Sequence, residues 1–91
     1  MEPEFVSHEE MFEIIIQDCE DTIQLIINEI KELRESRQEI QVMYNAKKVS
    51  EFGRDIELEQ CHRVMEKANG SLKDAYWQKQ LAQRELKRIK G

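Results

Sequence analysis

Apolar residues recur every three or four positions along most of the 91-residue chain, which is typical of helices that pack along a seam. With Ile16 at heptad position a, apolar side chains fill most a and d positions on both sides of one polar break. A repeat sustained over this length predicts coiled-coil packing. The principal residues of the predicted seam are Phe12, Ile16, Cys19, Ile23, Ile26, Ile30, Leu33, Ile40, Leu58, Cys61, Met65, Leu72, Leu86 and Ile89.

The start of the first helix is marked by a capping signal. Ser7 and Glu10 have the spacing of a capping box, in which each side chain accepts a hydrogen bond from the other residue's amide. We therefore expect residues 7–91 to form a single helical region that begins at about residue 8. Residues 1–6 are expected to be a disordered lead or a remnant of cloning.

The polar break predicts a turn in the middle of the chain. Lys47, Glu51 and Arg54 occupy three successive seam positions, and Gly53 beside them can take the left-handed conformation that ends helices. We therefore predict a turn near residues 49–54. The helices on either side are predicted at about 8–48 and 55–89.

A second candidate turn lies at Asn69-Gly70-Ser71, because Asn-Gly is a common turn dipeptide. A helix through these residues loses roughly 2 kcal/mol of helix propensity. The seam residues Met65 and Leu72 nevertheless keep register across it, which favours a continuous helix with a kink or weak point at 69–71. The alternative is a true turn followed by a third short helix, which would give a three-helix bundle.

The distribution of charge sets the direction of packing. Residues 1–21 hold eight acidic residues and no Lys or Arg, whereas residues 71–91 hold six basic residues and two acidic ones. Antiparallel packing places these ends together, while parallel packing places like charges side by side. The predicted fold is therefore all-α, a long antiparallel coiled coil formed as a helical hairpin or as an antiparallel dimer. A turn near residue 51 would bring Ile16 close to Leu86.

Composition argues against several classes of partner. The net charge of −5 is unlike that of nucleic-acid-binding proteins, which neutralise phosphates with Lys and Arg. No apolar run is long enough to cross a bilayer, so membrane association is not expected. Two cysteines without a secretory leader suggest a reducing compartment, so we expect a cytoplasmic protein, with the cytoskeleton as one candidate location.

The sequence contains no recognisable catalytic or ligand-binding motif. The nitrogen and sulfur ligand candidates His8, Cys19, Cys61 and His62 lack the spacing of a metal site. No glycine-rich phosphate loop is present, and the carboxylates are distributed as on an ordinary helix surface. We therefore expect no catalytic residues, no metal and no cofactor.

Apolar residues outside the seam suggest an interface. Ile14, Leu25, Ile27, Tyr76 and Trp77 are the protein-interface candidates, because exposed aromatic and aliphatic clusters mark contact surfaces. The expected function is that of a non-catalytic coiled-coil segment of a larger protein, of the scaffold, tether or motor-stalk type. It would self-associate, dock within its parent protein as a regulatory element, or bind a partner helix. The alternative is an independent three-helix-bundle module that recognises a peptide or small protein.

Overall fold

The computed structural model describes residues 7–91, which form two long helices joined by a tight turn. Helix α1 covers His8–Asn45 and helix α2 covers Glu51–Lys90. The two helices pack against each other and run antiparallel, because Lys90 at the end of α2 reaches Glu9 and Glu13 at the start of α1. The chain is thus an all-α helical hairpin, which confirms the predicted fold class. The predicted lead at residues 1–6 lies outside the described residues.

Helix α1 begins at the predicted cap. The Ser7 side chain accepts a hydrogen bond of 3.1 Å from the backbone amide of Glu10, and the Ser7 carbonyl accepts one of 2.9 Å from Met11. Glu9 and Glu10 lie in the first turn, where the positive end of the helix dipole favours acidic side chains. The local sequence therefore determines where this helix starts.

The C-terminus of α1 is closed by a Schellman motif, in which backbone amides beyond the helix end bond back to its last turn. The amide of Lys48 donates to the carbonyl of Met43, and the amide of Lys47 donates to that of Tyr44, both at 2.9 Å. Lys47 adopts a φ of 60°, a conformation in which glycine is the usual residue. The chain reverses at this left-handed lysine rather than at Gly53.

Helix α2 begins earlier than the sequence predicted. Ser50 is its N-cap, and the Ser50 hydroxyl accepts a hydrogen bond of 3.0 Å from the amide of Gly53. Residues 51–54, which the sequence analysis placed in the turn, are the first turn of this helix. Gly53 is therefore a helix residue, and the turn consists of residues 46–50 instead of 49–54. The predicted helix ends at about 48 and 55 are replaced by Asn45 and Glu51.

The earlier turn changes which residues face each other. Arg54 stacks on Tyr44 with 4.1 Å between the guanidinium carbon and the ring centroid, so facing residues have numbers that add to about 98. In an antiparallel coiled coil a residue at position a faces a residue at position d. Because heptad positions repeat every seven residues, the sum of the two facing residue numbers can change only in steps of seven. Ile16 therefore lies level with Ala82 rather than with Leu86. Similarly, Ile23 lies level with Ala75.

The core lies in the middle of the seam and combines large residues from α1 with small ones from α2. Ile26 and Ile30 cluster with Ala68 and Leu72 near its centre. The buried residues are Cys19, Ile23, Ile26 and Ile30 on α1, and Cys61, Ala68, Ala75 and Ala82 on α2. Of the remaining predicted seam residues, Ile89 is exposed and the others are half-buried. Both cysteines are free.

Helix α2 continues through the second candidate turn without interruption. Asn69, Gly70 and Ser71 are all helical. A Cβ placed on Gly70 would meet no atom within 4 Å, so nothing in the packing requires glycine there. Residues 7–91 accordingly contain two helices, and the three-helix arrangement considered as the alternative is not formed.

Candidate association surface

A two-helix seam leaves two lateral faces of the hairpin exposed. We define the Thr22 face as the side formed by heptad positions c and g, where Ile15, Thr22 and Gln78 line a shallow groove with Cys19 and Ala75 at its base. We define the Asn69 face as the side formed by positions b and e, where Ile27, Arg34 and Asn69 line a second groove. These two faces are chemically different.

The five predicted interface residues do not share one face. Leu25 and Ile27 are two residues apart, which is about 200° around the helix, so they lie on opposite sides of α1. Leu25 belongs to the Thr22 face, whereas Ile27 and Tyr76 belong to the Asn69 face. Ile14 and Trp77 are at position f, which points away from the partner helix. All five are at least 40% exposed.

The Thr22 face carries exposed apolar side chains besides Leu25, which is 70% exposed. The sequence analysis identified Leu25 but not the others. Because each of these residues falls at position c or g, their shared heptad position was the signal that could have identified them. They are Met11, Val64 and Leu81, and Ile15 and Met43 on the same face are half-buried.

Charge distinguishes the two faces. Within the two helices, the Asn69 face carries six acidic and five basic residues, so it is nearly neutral. The Thr22 face carries seven acidic residues and only two basic ones, Lys67 and Arg88. The acidic residues on the Thr22 face are Asp18, Glu29, Glu32, Glu39, Glu57, Asp74 and Glu85.

Most of the acidic side chains on the Thr22 face form no ion pair with any of residues 7–91. Within residues 7–91, Glu85 pairs with Arg88, and the other six acidic side chains of this face form no ion pair within 4 Å. Elsewhere in residues 7–91 most carboxylates lie within 4 Å of a basic side chain, as when Lys79 approaches Glu20 on α1 at 3.4 Å. The Thr22 face therefore has a negative potential that the hairpin itself leaves uncompensated.

The turn end of the hairpin is held by a small charged cluster. The guanidinium of Arg54 donates a hydrogen bond of 3.0 Å to Asp55, and this bond raises the pKa of Arg54 above its ordinary value. The Arg54 guanidinium, cationic as arginine always is in proteins, lies over the ring of Tyr44. This contact joins the last turn of α1 to the first turn of α2.

Within residues 7–91, no group of three or more His, Cys, Asp or Glu side chains is arranged to hold a metal ion. Neither helix has an apolar stretch of the length needed to span a bilayer. No family model, curated protein or solved structure matches this chain.

Proposed function

We propose that this chain is a non-catalytic coiled-coil segment of a larger cytoplasmic protein, and that it docks a basic amphipathic helix of a partner protein on its Thr22 face. The observation that carries the proposal is the combination on one face of exposed apolar side chains with unpaired acidic ones. Leu25, for example, is 70% exposed and lies one heptad from both Asp18 and Glu32. A cytoplasmic setting is supported by the two free cysteines.

The apolar side chains are spaced to receive a helix. Met11 and Leu25 are two heptads apart on α1, and Ile15, which lines the groove, is one turn from Met11. Leu81 occupies position c of α2 and so lies on the same face. A docked helix commonly buries residues at i, i+3, i+4 and i+7 in such a groove. Burial of these side chains would supply the attraction.

The charges select the kind of helix that fits. A helix with Lys or Arg beside its apolar stripe would place cations near Asp18, Glu29 and Glu32. An acidic helix would meet like charges in the same positions and would be rejected. The nearly neutral Asn69 face offers no comparable selection. We therefore assign docking to the Thr22 face rather than to the groove beside Ile27.

Binding of designed peptides tests this proposal. The probe is a fluorescein-labelled amphipathic peptide with leucine at a and d positions and lysine at the flanking positions. Its control is the same peptide with glutamate in place of lysine. We expect anisotropy to rise with the lysine peptide, to stay flat with the glutamate peptide, and to fall as salt screens the charges.

Matched substitutions locate the binding face. Leu25→Ala should weaken binding of the lysine peptide by about tenfold, as expected for loss of an interfacial anchor. Ile27→Ala, two residues away on the opposite face, should leave binding unchanged. Equal weakening by both substitutions, or tighter binding of the glutamate peptide, would overturn the assignment.

A further inference from the structure

The heptad frame of α1 continues without a shift through the turn and into α2. In one uninterrupted count, Tyr44 is at a, Lys47 at d, Glu51 at a, Arg54 at d and Leu58 at a. A hairpin does not require this, because a loop can join two helices whose heptad frames are unrelated. A single straight helix through residues 46–50 would keep one continuous seam.

We propose that two copies of this chain exchange arms, by straightening the turn into helix and pairing antiparallel with each other. Facing residues in the hairpin have numbers that add to about 98, so the dimer axis would pass near residue 49. Every seam contact of the hairpin would then recur between the chains. Ile30, for example, would face Ala68 of the partner subunit. This inference concerns the seam and the turn and is independent of docking on the Thr22 face.

The exchanged dimer would also give the charged seam residues partners that the hairpin does not provide. Lys47 and Glu51 have numbers that add to 98, so Lys47 of each chain would face Glu51 of the partner subunit. The two-fold axis makes this pair occur twice. In the hairpin both residues are exposed, and Glu51 lies 3.8 Å from Arg54 of its own helix. In the dimer, the polar break of one chain would thus be complementary in charge to the polar break of the other.

The turn stores a modest strain that the exchange would release. Lys47 has a φ of 60°, a conformation unfavourable for residues other than glycine. Short hinge loops under strain favour exchange of identical elements between copies. The hairpin avoids the entropy loss of association, so we expect it to dominate at low concentration and the dimer to form as concentration rises.

Isotope mixing tests the exchange on the unmodified chain. Equal amounts of ¹⁵N-labelled and unlabelled chain are mixed in denaturant and refolded together at high concentration. A carbodiimide then joins Lys79 to Glu20, whose side chains lie 3.4 Å apart. The expected result is cross-linked peptides in which one residue is labelled and the other is not, found in the fraction with dimer mass. Cross-links formed only within labelled or within unlabelled chains, or the absence of any dimer, would overturn the proposal.

Charge reversal tests the pairing at the centre of the dimer. In the dimer, Lys47→Glu would place a glutamate opposite Glu51 of the partner subunit, and the two-fold axis makes this contact occur twice. The repulsion should raise the dimer dissociation constant by about tenfold. Adding Glu51→Lys should restore the original value. Lys73→Glu, a charge reversal at an exposed position outside the seam, should not change it. An unchanged constant in Lys47→Glu, or failure of the second substitution to restore it, would refute the proposed pairing.

Discussion

Lys79 occupies a core position of the seam and extends sideways to Glu20 on the opposite helix, with 3.4 Å between its Nζ and the carboxylate oxygen. The Lys79 side chain is 25% exposed and that of Glu20 46%. The ammonium group thus reaches the edge of the hairpin while the alkyl stem covers the seam. A half-exposed ion pair of this kind contributes at most about 1 kcal/mol.

Replacing Lys79 with leucine should therefore stabilise the hairpin. The substitution extends the apolar seam, and we expect the free energy of unfolding to rise by about 1 kcal/mol, because the gain from buried apolar area exceeds the loss of the ion pair. Urea unfolding followed by circular dichroism measures the change. Lys73→Leu, at an exposed position on the same helix, should have little effect. A marked loss of stability in Lys79→Leu would show that the ion pair with Glu20 dominates.

Gly70→Ala should stabilise α2 by about 1 kcal/mol, the difference in helix propensity between the two residues. A Cβ at this position meets no atom within 4 Å, so the substitution introduces no clash. Gly53→Ala is the matched control, because its Cβ would lie 3.3 Å from the capping hydroxyl of Ser50 and the gain should be smaller. Thermal unfolding compares the two variants. Destabilisation by Gly70→Ala would indicate a turn at this position instead of a helix.

Ser50→Ala should destabilise the hairpin by about 1 kcal/mol, the usual effect of losing an N-cap. The hydroxyl of Ser50 satisfies the Gly53 amide at 3.0 Å, and alanine leaves that amide without its partner. Ser36→Ala, on the exposed surface of α1, serves as control and should be neutral or slightly stabilising. Equal effects of the two substitutions in urea unfolding would contradict the assignment of Ser50 as the cap.

The seam was predictable because burial follows heptad position, and the buried Ile23, Ile26 and Ile30 all fall at a or d. The turn was predicted too late in the chain because Gly53 was taken as a helix-ending glycine. Ser50, three residues earlier, is a typical N-cap residue and marks the true start of α2. That displacement also shifted the expected partners of Ile16. Register in an antiparallel coil changes in steps of seven residues, so a small error in the turn misassigns facing pairs along the whole hairpin.

The candidate surface was only partly predictable. Leu25 was identified from its apolar character at an outer position, but grouping it with Ile27 ignored the rotation of about 200° between residues two apart on a helix. The acidic character of the Thr22 face follows from counting charges by heptad position rather than by segment. The sequence does not show whether Asp18 and Glu29 form ion pairs. In the structure their carboxylates have no ion-pair partner within residues 7–91.

The most direct test of the central claim, that a basic helix docks on the Thr22 face, is chemical-shift mapping. A ¹⁵N-labelled chain is titrated with the unlabelled leucine–lysine peptide, and backbone amide shifts are followed at each residue. The account predicts shifts concentrated on one side, at Ile15, Thr22, Leu25 and Leu81. Shifts centred instead on Ile27, Asn69 and Tyr76, or no shifts at saturating peptide, would contradict it.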